Sequence, residues 1–163
     1  MGKKYEFTGE TKDWDGRTLR RIRAIVTIAY VEAGELGGWI EAESNLSQNG
    51  NAWVSGDAKV YGDAKVCGNA WVYDNAEVYG DAKVSGNAKV CDSADYVVFK
   101  NCWSSCRWFT YTRSNKMWKV GCFYGTGEEL IAKAYADSDT SGKCYEAVVK
   151  AVETIEKAKG ETK

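Results

Sequence analysis

From Asn51 to Asp92 the chain reads NAWVSG, DAKVYG, DAKVCG, NAWVYD, NAEVYG, DAKVSG, NAKVCD. The unit is Asn or Asp, Ala, any residue, Val, then Tyr, Ser or Cys, then Gly or Asp. Valine recurs at 54, 60, 66, 72, 78, 84 and 90, and alanine at 52, 58, 64, 70, 76, 82, 88 and 94. In extended chain, Ala and Val two apart point to one side and the residue between them to the other. The Gly-Asp or Gly-Asn junction supplies a corner that tolerates positive φ. A helix is excluded, because a six-residue step turns successive valines by ~240° about a helix axis and no apolar stripe forms. Three units then make a triangular turn of 18 residues, with stacked turns ~4.8 Å apart.

The columns of this arrangement agree with one another. Positions 51, 69 and 87 are all Asn; 53 and 71 are Trp; 61 and 79 are Tyr; 63 and 81 are Asp; 65 and 83 are Lys. Lys59 falls opposite Glu77, a pair of unlike charge. The same frame reaches back to Leu46 and Ile40 and forward to Tyr96. On these residues the chain resembles the hexapeptide-repeat proteins, over about residues 40–96. The resemblance implies a short left-handed parallel β-helix of about three coils and assembly as a homo-oligomer, a trimer in many members. The expected class is mainly β, such a β-helix followed by a small α+β C-terminal domain.

Composition limits the chemistry. Among 163 residues there is no His, which excludes Ser-His-Asp and Cys-His nucleophile systems, imidazole bases and His-ligated zinc. The acyltransferases and carbonic anhydrases of the hexapeptide-repeat family rely on histidine, so their activity is not carried over. The expected protein is not an enzyme and uses no cofactor and no metal. Asp63 and Asp81 read as solvated corners beside Lys65 and Lys83, and the tail cysteines 102, 106, 122 and 144 lack the knuckle spacing of a zinc site. No apolar run follows Lys3-Lys4, and none approaches a membrane span. The expectation is a cytoplasmic protein with free thiols and no membrane partner.

The expected segments are 1–39, N-terminal strands and a cap; 40–96, the repeat; and 97–163, three strands and two helices. In the first, Arg17, Arg20, Arg21 and Arg23 read as a solvated edge strand balanced by Glu6, Glu10, Asp13 and Asp15. In the third, Tyr96–Phe99, Trp108–Thr112 and Met117–Phe123 are strand-like. Thr126-Gly-Glu-Glu is a capping box for a helix over 128–136, and an apolar face of Ala147, Val148, Ala151, Val152 and Ile155 predicts another over 143–159. The third segment carries a net charge of +3 in a chain of pI near 5.6, which does not argue for nucleic acid.

Outward Trp53, Trp71 and Tyr73 read as a contact surface, together with the Tyr61 and Tyr79 column. Arg107 and Arg113, interleaved with tail aromatics, could stack a base and hold its phosphate. The opening KYEFTGE at 4–10, GELGGWIEAESNLS at 34–47, the hexads and GCFYGTGEE at 121–129 are together similar to small accessory proteins of phages and prophages. That resemblance implies a non-enzymatic binding protein, an inhibitor of a bacterial defence system that blocks a host protein or sequesters a signalling nucleotide. Two alternatives stay open: a relative of the hexapeptide transferases that binds a ligand or acyl donor, and a structural spacer or virion component.

Overall fold

The computed structural model describes residues 2–161; Met1, Thr162 and Lys163, the ends of the first and third expected segments, lie outside the described residues. Two compact units divide the chain: Met1–Tyr96 with Thr112–Asn115, and Val97–Tyr111 with Lys116–Lys163.

The first unit opens on an antiparallel hairpin, β1 (Tyr5–Trp14) and β2 (Arg17–Ala24), closed at Trp14↔Arg17 by Asp15 (φ 47°) and Gly16 (φ 70°). Asp-Gly is the pair that a two-residue hairpin with both φ positive selects. β3 (Leu36–Ile40) pairs antiparallel with β2, so the arginine-rich strand is internal and β1 is the edge, contrary to expectation. Its arginines meet acids across the sheet: Arg17 with Glu41, Arg21 with Glu10 and Arg23 with Glu6.

Seven two-residue strands follow: β4 (Trp53–Val54), β5 (Lys59–Val60), β6 (Lys65–Val66), β7 (Trp71–Val72), β8 (Glu77–Val78), β9 (Lys83–Val84) and β10 (Lys89–Val90). Every valine of the repeat, and every alanine from 52 to 88, is fully buried. Ala94 is exposed, because a 3-10 turn over Ser93–Asp95 takes the chain out of the frame.

The expected regular left-handed parallel β-helix of about three coils is corrected by the sheet topology. The fold is mainly β, with four separate small sheets and two helices: β1-β2-β3-β5-β8, β10-β7-β4, β6-β9, and a four-stranded sheet in the second unit. The largest sheet is mixed, antiparallel through β3 and parallel from β3 to β5 and β8. Parallel partners such as Trp53↔Trp71 lie 18 residues apart, but Trp39↔Lys59 and Leu46↔Val66 lie 20 apart. Leu46 lies eight residues before Val54, not six, so two extra residues between Leu46 and the first hexad lengthen this first step. Gly37 and Gly38 let β3 approach the repeat: a Cβ on Gly37 would lie 2.7 Å from the Val54 carbonyl, and one on Gly38 2.7 Å from that of Ala58. At the far end of the unit, the Ser114 hydroxyl accepts from the Lys89 amide at 2.7 Å.

Apart from Tyr96 and Thr112, which fall in the first unit, the second unit holds β11 (Tyr96–Lys100), β12 (Trp108–Thr112), β13 (Met117–Val120) and β14 (Phe123–Gly125), then α1 (Gly127–Asp137) and α2 (Asp139–Gly160). The expected third strand is two strands, because Gly121 at φ 54° turns the chain so that Val120 pairs with Phe123. Thr126 caps α1 by accepting from the Glu129 amide, and the Glu129 carboxylate accepts from the Thr126 amide. Phe109, Tyr111, Trp118 and Val120 of the sheet bury against Leu130, Val148, Val149 and Val152 of the helices. Among the described residues no helix is long and apolar enough to cross a membrane.

Candidate binding groove

The aromatic column of the repeat is divided by what covers it. Trp53 and Trp71 are parallel partners on adjacent strands, and Lys89 continues their column. Trp53 is wholly buried, however, and not on the surface as its outward position suggested. The Tyr5 ring packs edge-on against it with centroids 6.5 Å apart, and β3 presses from the other side at Gly37. Its indole N–H has no hydrogen-bond partner, so Trp53 acts as core.

Trp71 stays half-buried, and the Tyr30 ring meets it edge-on at 6.4 Å. Tyr30 is 91% exposed and stands in a tight turn in which Ile28 and Val31 exchange both backbone hydrogen bonds. These two rings line a groove of about 970 Å³ together with Tyr73, Asn51, Asn69 and Asn87. The asparagines form a row: Asn51 Nδ2 donates to Asn69 Oδ1 at 3.1 Å, and Asn69 Nδ2 donates to Asn87 Oδ1 at 3.2 Å. Asp74 and Lys89 also line the groove, one charge of each sign.

Two non-glycine residues at the groove hold positive φ, Ala29 at 49° and Asp74 at 58°. Asp74 occupies the sixth, glycine-type position of its hexad. Backbone of this kind is costly for side chains with a Cβ and is concentrated where a site is being shaped.

The remaining sequence-selected residues are elsewhere. Tyr61 is buried and stacks on Tyr79 at 5.4 Å with the rings 8° from parallel, and its hydroxyl donates to Glu77 Oε2 at 2.9 Å. Burial, and then the Glu77 carboxylate, push the Tyr61 phenol up to about 12. Tyr79 is exposed, outside the groove. Arg107 is exposed in the second unit, whereas Arg113 is half-buried in the first, where its charge bears on Asp95. The two arginines thus belong to different units.

Tyr73 links the groove to a small polar cluster. Cys91 Sγ donates to Asp95 Oδ2 at 3.3 Å, and the Cys91 and Asp92 amides donate to the same oxygen at 2.9 and 3.0 Å. The hydrogen bond to Asp95 raises the Cys91 thiol above its ordinary range. Burial works upward on Asp95, but the hydrogen bonds from Cys91 and Asp92 and the Arg113 charge outweigh it and keep the carboxyl below its usual range. All six cysteines are free, and no cluster of three His, Cys, Asp or Glu side chains is placed to hold a metal among the described residues.

The sequence reading missed Tyr30, whose turn carries no Gly or Asn signal at its tip. The Asn column is legible in the sequence as a stacking register but not as part of a surface. The described lining of the groove is made of amide, aromatic and small side chains with one Asp and one Lys. Comparison with known proteins finds no matching family model and no matching curated protein.

Proposed function

We propose that the chain is a non-enzymatic binding protein of the phage accessory type, and that the groove around Trp71 is its contact surface. One observation carries the reading: Tyr30, a large aromatic left 91% exposed, packs edge-on against half-buried Trp71, and both line that groove. An exposed aromatic packed on a half-buried one, beside solvent-exposed amides, is the composition of a recognition surface. The absence of His supports a role without histidine-based covalent chemistry.

Inhibition of a host defence system, by blocking a protein or sequestering a small signalling molecule, is the form that the phage resemblance suggests, with the chain acting as a homo-oligomer. A phosphate-rich ligand has little support at the groove, since Lys89 is the one cation among the described lining residues and Asp74 offsets it.

The experiment is native mass spectrometry of the protein isolated gently from the producing cell, wild type against Tyr30→Ala and Trp71→Ala. A retained molecule or partner that is lost in both variants supports the reading. The same species kept by both variants, or none on the wild type, overturns it. The same spectra count the subunits.

A further inference from the structure

The Asn51–Asn69–Asn87 row has unused hydrogen-bonding capacity in a regular arrangement. An asparagine amide carries two N–H donors and two acceptor lone pairs. Within the row Asn69 spends one donor on Asn87 and one acceptor on Asn51, which leaves it one of each. Asn51 keeps one donor and both lone pairs, and Asn87 keeps both donors and one lone pair. All three side chains are exposed, and parallel strands repeat them ~4.8 Å apart.

A row of donor–acceptor pairs at even spacing matches a ligand that repeats hydroxyls along its length. A hydroxyl both donates and accepts, so neighbouring hydroxyls satisfy one amide without charge on either side. Trp71, half-buried behind Tyr30, adds an apolar face against which the C–H side of a sugar ring can lie. Other ligand classes fit less well. An anionic ligand would need cations, and the lining offers Lys89 against Asp74. A peptide strand cannot add beside Trp71, because β7 is already hydrogen-bonded to β4 on one side and β10 on the other.

We infer that the groove binds a linear, uncharged oligosaccharide laid along Asn51, Asn69 and Asn87 with one ring against Trp71. This rests on the groove being the contact surface proposed above. The ligand is recognised by its hydroxyls and ring faces, so affinity depends little on salt.

The test is titration calorimetry of the full chain with three linear hexasaccharides, of β-1,4-linked glucose, α-1,4-linked glucose and β-1,4-linked N-acetylglucosamine, and with adenosine monophosphate. At least one hexasaccharide is expected to bind more tightly than the nucleotide and to keep its affinity at raised salt. Asn69→Ala and Tyr30→Ala should each weaken it about tenfold. Tyr30 is almost fully exposed, so its replacement leaves the fold in place and keeps the result interpretable if Asn69→Ala is unstable. No hexasaccharide binding up to about 10 mM overturns the inference, as does binding that both variants keep. In that event, nucleotide binding lost in Tyr30→Ala, or a native partner lost in that variant, leaves the contact surface standing with a different ligand. Failure of every probe and of the native partner removes both proposals.

Discussion

The Lys4 ammonium donates to the carbonyl oxygen of Ala52 across 2.7 Å, and Lys4 is only 4% exposed. A second carbonyl, that of Gly50, lies at 3.4 Å, so this buried charge is held by backbone dipoles. Burial lowers the Lys4 pKa from 10.5 to about 8. Between these values the unfolded chain binds the proton more tightly than the folded one, so stability rises as pH increases. Tyrosines act in the opposite sense: burial lifts Tyr61 and Tyr96 from 10.0 to about 12, so above pH 10 the unfolded chain loses protons that the folded one keeps. Urea unfolding in reductant should therefore show stability climbing on the order of 2 kcal/mol from about pH 8 to about pH 10, then falling. Lys4→Met should abolish the climb and leave the fall; a wild type that weakens steadily from pH 8 would contradict the assignment.

Gly37 faces three atoms within 2.8 Å of where a Cβ would stand: Ile22 Cγ1, the Val54 carbonyl and Trp53 Cζ2. Two of the three belong to buried side chains and one to the backbone, so none can yield cheaply. Gly37→Ala should cost about 2–3 kcal/mol by overpacking. The check is a lower denaturation midpoint with an unchanged slope.

Glu77 gathers donors from distant parts of the first unit. Its Oε2 accepts from the Tyr61 hydroxyl at 2.9 Å and from the Trp14 indole N–H at 3.2 Å. Glu77→Ala strips both partners and should cost about 2 kcal/mol. It should also lower the Tyr61 pKa, seen as phenolate absorbance appearing at lower pH in the folded protein.

Thr126→Ala removes the hydroxyl that accepts from the Glu129 amide at the start of α1. The expected loss is about 1 kcal/mol, read from unfolding monitored by helical circular dichroism. Thr126→Ser should restore most of it.

How far the residues themselves foretold this arrangement depends on the distance over which each feature is decided. The hexads specified which side chains point inward, and the valine and alanine columns are buried accordingly. They also specified the 18-residue partnership of Trp53 with Trp71. They could not specify that Tyr5, 48 residues earlier, would cover one tryptophan and leave the other accessible. The regular β-helix expectation failed for a related reason. Its frame came from the repeat alone, whereas β1–β3 extend one face with antiparallel pairs, and two extra residues between Leu46 and the first hexad lengthen the first step. The hairpin itself was readable in Asp15-Gly16; the Tyr30 turn, with Ala29 at positive φ, was not.

Because partners in the repeat sit 18 residues apart, that interval is a natural unit of length for the molecule. A copy gained or lost by recombination at such an interval keeps every remaining side chain on its face, while any other length change re-aims all that follow. One such insertion beside Asn69 would add a fourth amide and lengthen the groove by ~4.8 Å. A lineage could therefore lengthen or shorten the asparagine row in whole increments without re-aiming the side chains that remain.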